Sequence, residues 1–168
     1  MACLTSAIAY YWLRSRVVPG EFGYSLVRKG EFSLNEHGDM FIQGNVLRKG
    51  DASVQKAEVG AIAFRNELID SRDVLDLMGF INLEKASFVK CEFTPSCLAK
   101  ILSMEGIRSL RFTDCRLPTP NPSTCGIQPS LTFVVFERST NADHDNLIAD
   151  LKKAGVDVTV WNSSIPRT

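Results

Sequence analysis

Histidine is nearly missing from this chain. Only His37 and His144 occur in 168 residues, and no two cysteines are spaced as CxxC. A structural zinc site takes about four nitrogen or sulfur ligands, mostly in close pairs. That scarcity argues against a zinc-dependent fold, and no metal is expected. An excess of one charge is missing too: 19 Lys and Arg balance 19 Asp and Glu. A dedicated nucleic-acid binder usually carries a basic surplus, so no nucleic acid is expected as partner. Neither GxGxxG nor GxxxxGK[ST] nor GxSxG occurs. The phosphate-cradling loops and the nucleophile elbow that those patterns encode are therefore absent. No cofactor, small-molecule ligand or catalytic residue is expected.

Five cysteines are present: Cys3, Cys91, Cys97, Cys115 and Cys125. Their number is odd and their spacing irregular, unlike the framework of a small secreted disulfide protein. Buried free thiols are expected, ahead of a Cys115–Cys125 disulfide in an exported domain. Hydrophobic residues make up 45% and charged residues 23%, the balance of a globular domain with a core of its own. His144 lies between Asp143 and Asp145, but three polar residues at a helix start read as capping and dipole chemistry. His37, in the turn-like stretch NEHGD, has no evident partner in sequence. Glu36 and Asp39 beside it lack the spacing of a calcium loop.

A long apolar run is lacking as well. The longest, Ala2 to Leu13, is shorter than the ~20 residues that span a bilayer. No positive segment precedes it, so a secretory signal is not indicated. Tyr10, Tyr11 and Trp12 lie close to Arg14 and Arg16, as in a membrane-interface belt. Residues 1–18 therefore read as an apolar helix or as the remnant of a membrane anchor working through residues 2–16. The anchor places the domain on the cytoplasmic side of a membrane. The helix makes the protein cytoplasmic and soluble. Pro19-Gly20 ends the element in either case.

From 21 to 50 short alternating runs are split by RKG, EHGD and QGN. They predict two or three antiparallel strands, about 23–28, 31–35 and 39–47, packing as a cap. A regular register follows over 51–164. VGAIAF starts at 59, LEKASF at 83, IRSLRF at 107, LTFVVF at 131 and VDVTVW at 156, in steps of 24, 24, 24 and 25. Slot one is apolar, slot four apolar or small, and slot six aromatic: Phe64, Phe88, Phe112, Phe136 and Trp161. A fixed period of 20–29 residues marks a strand-plus-helix repeat. Between the strands, 70–80 predicts a helix capped by Asp70 or Ser71 with Val74, Leu75 and Met78 on one face. In 94–106 Thr94 caps, Pro95 opens and Cys97, Leu98, Ile101 and Leu102 form the buried stripe. A third helix ends at Gly155, with Lys152 and Lys153 in its last turn. Four prolines in 117–130 predict an irregular crossover instead.

Two units carry more. In LEKASFVKCEF the residues Leu83, Ala86, Phe88, Cys91 and Phe93, and in IRSLRFTDCRL the residues Ile107, Leu110, Phe112, Cys115 and Leu117, follow LxxLxLxxN/CxL. This spacing resembles the leucine-rich repeat over about 59–164, with phenylalanine in place of leucine at slot six. Slot nine holds Glu67 in the first unit, Ser139 in the fourth and Ser164 in the fifth. The resemblance implies an α/β fold: a parallel sheet of about five strands, with helical or irregular crossovers stacked on one side. It implies that Cys91 and Cys115 bond the turning backbone at the strand exits. It further implies a non-enzymatic protein–protein interaction or scaffold domain.

Slots three, five and seven then face away from the helices. The candidate partner-binding face is Lys85, Ser87, Arg111, Phe133, Val135 and Glu137, with another protein as ligand. Val158 and Val160 fall on the same face, and Arg111 and Glu137 are expected to form a cross-strand ion pair. An apolar cluster such as Phe133, Val135, Val158 and Val160 implies either an interface or a cover made by the N-terminal segment. The competing function is a small α/β enzyme whose site lies at the carboxyl ends of the strands, within 65–70, 89–94, 113–118 and 137–143. That function needs a switch point in strand order, with Arg65, Asp114, Arg138 and His144 converging.

Overall fold

The computed structural model describes residues 23–44, 46–48, 55–118, 126–139 and 144–161. Four short strands come first: β1 (Gly23–Arg28), β2 (Phe32–Leu34), β3 (Met40–Ile42) and β4 (Val46–Arg48). Then follow β5 (Val59–Arg65), the two-residue β6 (Leu68–Ile69), helix α1 (Ser71–Met78) and β7 (Lys85–Val89). The short β8 (Glu92–Phe93), helix α2 (Pro95–Leu102), β9 (Ser109–Thr113) and β10 (Phe133–Glu137) come next. Helix α3 (His144–Lys153) and β11 (Asp157–Trp161) complete the order. The fold is α/β and its main sheet is mostly parallel.

Among the described residues that sheet has seven strands, against about five expected, in the order β11-β10-β9-β7-β5-β1-β4. From β5 to β11 neighbours are parallel and follow chain order. The extra members are β1 and β4, which add antiparallel to the β5 edge. The strands β2 and β3 pair separately as a hairpin. Of the expected irregular crossover 117–130, residues 119–125 lie outside the described residues, and the described ones hold no helix.

Why these segments take this register is visible in the side chains. Phe64 pairs with Phe88 and Phe88 with Phe112. Phe112 in turn pairs with Phe136. Their rings stack at 5.3, 5.4 and 5.5 Å with interplanar angles of 9°, 11° and 12°. Phe88, Phe112 and Phe136 are almost wholly buried. Burying each ring stabilises the fold by roughly 1.5–3 kcal/mol, and each ring pair adds ~0.5–1.5 kcal/mol. Tyr24 of β1 extends the row, 5.2 Å from Phe64.

The row ends differently from expectation. Phe136 pairs with Val160, and Glu137 with Trp161. The last step is therefore 24, not 25, and Trp161 occupies slot seven. A one-residue shift of register turns every side chain to the other face. Val158 accordingly packs against the helix-side core, and Val158 and Val160 leave the predicted partner face.

All three described α-helices pack on that core side. Val74 and Leu77 of α1, Leu98, Ile101 and Leu102 of α2, and Leu147 and Leu151 of α3 are buried in it. Asp70 caps α1 by accepting from the Arg72 and Asp73 amides, while Asp73 accepts from the Asp70 amide. The α1 stripe is Val74 and Leu77. Leu75 and Met78, expected beside Val74, are 66% and 61% exposed. They lie one and four residues past Val74, so with Leu77 facing the sheet they turn to the flank.

No described helix is long and apolar enough to cross a membrane. Residues 1–18, including the expected anchor, lie outside the described residues, as do Cys3 and Cys125.

Candidate functional site

The strand exits repeat one device. Asn66, Lys90, Asp114 and Arg138, each at slot eight, have φ of 53°, 54°, 52° and 50°. The left-handed region costs an L-residue about 1–2 kcal/mol. Each turn regains a bond to the next strand. The amides of these four residues donate to Val89, Thr113, Glu137 and Trp161 carbonyls at 3.0, 2.8, 2.9 and 2.9 Å.

Slot nine completes the turn. The Cys115 thiol donates to the Phe88 carbonyl at 3.2 Å, and Ser139 Oγ donates to the Phe112 carbonyl at 3.0 Å. Both span 27 residues, so serine and cysteine do the same work one strand apart. Ser139 Oγ also accepts from the Cys115 amide at 2.9 Å. The Cys91 thiol donates to the Val89 carbonyl at 3.5 Å. Cys91, Cys97 and Cys115 are free and buried, so Cys115 does not enter the disulfide considered with Cys125. Burial pushes the Cys115 thiol well above its ordinary pKa, and it stays protonated and unreactive.

The face opposite the helices is where the predicted partner residues lie, and the β2–β3 hairpin covers part of it. Val27, Phe32 and Ala61 form a second small core there, flanked by Leu34, Met40 and Ile42. The loop 35–39 is tied by its own side chain: Asn35 Oδ1 accepts from the His37 and Asp39 amides at 3.0 and 2.7 Å. His37 pairs with Glu36 at 3.3 Å on the exposed side. Gly38 has φ 71°, and a Cβ there would lie 2.7 Å from Phe133 Cβ. Only glycine lets the backbone settle on that ring.

Most of the predicted partner residues are buried. Lys85, Phe133, Val135 and Glu137 are 4%, 5%, 1% and 5% exposed. They are therefore not available as an open surface. Lys85 Nζ and Ser109 Oγ both donate to the Gly38 carbonyl, at 3.2 and 3.1 Å. Burial, with the nearby Arg111 charge, lowers the Lys85 ammonium to a pKa of about 7, although Asp39 opposes the shift. Arg111 pairs with Asp39 at 3.2 Å and lies 5.5 Å from the Trp161 ring centre. The expected Arg111–Glu137 pair does not form. Asp39 reaches Arg111 first, and Glu137 bonds Arg138 at 3.0 Å and Thr113 at 3.4 Å.

Ser87 and Arg111 remain half-buried beside the hairpin. Ala63 lies level with them at slot five, and Arg65, Val89 and Thr113 follow at slot seven, all half-buried. The sequence places these residues on the same face and allows a cover by the N-terminal segment, but the open partner face it predicts includes Lys85, Phe133, Val135 and Glu137, which are buried. The signal for that burial was present: alternating Phe32, Leu34, Met40 and Ile42 needed an apolar floor, and Phe133 with Val135 needed a cover.

At the strand ends Arg138 grips Asp114 with two bonds of 2.7 and 2.8 Å. This neighbouring carboxylate raises the Arg138 pKa still further. Arg65 sits on β5, three strands from β10 in the sheet, about 14 Å at the usual strand spacing. His144 opens α3. Among the described residues no cluster of His, Cys, Asp or Glu has the arrangement of a metal site. The chain matches no protein-family profile, no curated protein and no solved structure.

Proposed function

We propose that this chain is a non-enzymatic interaction module built like a short leucine-rich repeat. Its partner is another protein, held on the strand shelf left beside the β2–β3 hairpin. Ser87 and Arg111 are the contact residues kept from the predicted face, and Ala63, Val89 and Thr113 join them. Lys85, Phe133, Val135 and Glu137 lie on the same strand face but are buried beside the shelf. The observation that carries the proposal is the sequential parallel order from β5 to β11 with every described α-helix on one face. That order leaves one strand face without a helical layer, and its side chains recur at a constant 24-residue offset.

The enzymatic alternative has less support. A sequential sheet has no switch-point crevice, and Asp114 and Arg138 neutralise one another. Attachment to a membrane through residues 2–16 remains part of the proposal, and fractionation of the full chain tests it. The shelf is tested by placing a photo-crosslinking residue at Ser87 and, as control, at Leu75 on the helix side. A protein adduct specific to position 87, lost on adding Val89→Glu, is expected. The same adducts from both positions, or none from 87, would reject the shelf.

A further inference from the structure

The two edges of the main sheet are unequal. The β4 edge is three residues long and ends in Arg48, followed in sequence by Lys49. Short strands and basic residues are how natural sheets blunt an edge. Among its described residues the β11 edge is longer and carries one charge, Asp157, at its start. Its sequence DVTVW contains no proline and no lysine, and it pairs with β10 through all five residues without a bulge.

Backbone directions along β11 follow from its bonds to the β10 side. The Asp157 amide donates to the Thr132 carbonyl, and the Trp161 carbonyl accepts from the Arg138 amide. Backbone groups alternate along a strand. Asp157, Thr159 and Trp161 therefore point theirs inward, and Val158 and Val160 point theirs outward. Among the described residues, no backbone group pairs with the outward N–H and C=O of these two valines. Val160 is also 42% exposed.

We propose that β11 pairs antiparallel with β11 of a second copy of this chain, about a two-fold axis through Thr159. Of the available registers, only this one pairs all five residues. Val158 meets Val160 of the second copy, and the two valine pairs exchange four backbone hydrogen bonds. Thr159 meets its own counterpart in the closer, non-hydrogen-bonded pair, a favourable cross-strand contact. Asp157 meets Trp161 of the second copy, and the two Asp157 carboxylates stay at opposite ends. The contact is isologous and closes on itself. It joins two seven-stranded sheets into one, with the described helices of both copies on the same face.

A five-residue strand pair is smaller than the ~1,200 Å² of a stable specific interface, so a Kd on the order of 10–100 µM is expected. Sedimentation equilibrium of the full chain across that range is the test. A reversible monomer–dimer equilibrium is expected. Val160→Pro removes an outward N–H that the fold does not use. It should raise Kd at least about tenfold with circular dichroism and Tm unchanged. If that variant fails to fold, Val160→Lys tests the same edge. Orientation is read by cysteine pairs in a chain also carrying Cys3→Ser and Cys125→Ser. Thr159→Cys should cross-link under mild oxidation, and Asp157→Cys should not, because its counterpart lies beyond disulfide reach. A chain that stays monomeric, a dimer indifferent to both Val160 variants, or equal cross-linking at 157 and 159 overturns the proposal.

Discussion

Lys85 Nζ lies 3.2 Å from the carbonyl oxygen of Gly38, 47 residues earlier in the chain. That bond pins the tip of the β2–β3 hairpin to the middle of the parallel sheet. It also buries an ammonium whose pKa falls from 10.5 to about 7. The unfolded chain keeps the higher value. Between about pH 7 and pH 10.5 the unfolded state therefore binds a proton that the folded state does not, and stability rises with pH. Below pH 7 both states are protonated and the penalty is complete, on the order of 5 kcal/mol. Lys85→Met removes the penalty, and Ser109 still satisfies the Gly38 carbonyl. The variant should be more stable than wild type at pH 6, with the difference shrinking toward pH 10. Urea unfolding at several pH values checks this. A wild-type stability independent of pH, relative to the variant, would count against a buried ammonium.

Gly38→Ala should lift the hairpin from Phe133. The left-handed φ alone costs an alanine about 1–2 kcal/mol, and the new methyl has no room beside the ring. The Lys85, Ser109 and Arg111 contacts would loosen together. Hydrogen exchange should show faster exchange in β2 and β3 and little change in β7 and β9. Uniform loss of protection would mean that the hairpin is integral to the sheet.

How far the sequence disclosed this arrangement differs from element to element. Phe64, Phe88, Phe112 and Phe136 recur at a fixed interval, and an aromatic in a constant slot is a local, repeated signal. The last unit lacked it. VDVTVW alternates, so its apolar residues suit two registers one residue apart, and its one aromatic, Trp161, points to the wrong one. The choice rests on pairing with β10, which the segment itself does not encode. Lys85 shows the other limit. A lysine among small residues reads as solvated, because burial by a distant glycine carbonyl leaves no trace in its own neighbourhood. The left-handed turns were half legible. Asn66 and Asp114 are residue types that tolerate positive φ, whereas Lys90 and Arg138 give no such sign.

Lys90 offers a gain in stability for that reason. It is exposed and holds φ 54°. Lys90→Gly relieves the left-handed strain and keeps the amide that bonds Thr113. The expected gain is roughly 1 kcal/mol, partly offset by the entropy of glycine in the unfolded chain. In a domain of this size that is a rise in Tm of about 2–4 °C. Differential scanning calorimetry decides it, and a fall in Tm would show that the Lys90 side chain stabilises the turn.

Ser139 and Cys91 occupy equivalent slots but carry unequal weight. Ser139 Oγ accepts from the Cys115 amide and donates to the Phe112 carbonyl, all of them buried. Ser139→Ala strands a donor and an acceptor at once, and each stranded group costs about 1–3 kcal/mol. The Cys91 thiol donates to Val89 at 3.5 Å and also interacts with the Cys115 thiol, and a thiol is a weak hydrogen-bonding group, so Cys91→Ala loses mainly packed volume. A loss of roughly 1–2 kcal/mol is expected there, against ~2–4 kcal/mol for Ser139→Ala. Ser139→Cys should recover part of the difference, because Cys115 already makes the corresponding bond one strand earlier. Chemical denaturation of the three variants gives the ranking. If Cys91→Ala proves the more damaging, the strand exits are held by packing alone and the hydrogen-bonded slot is incidental.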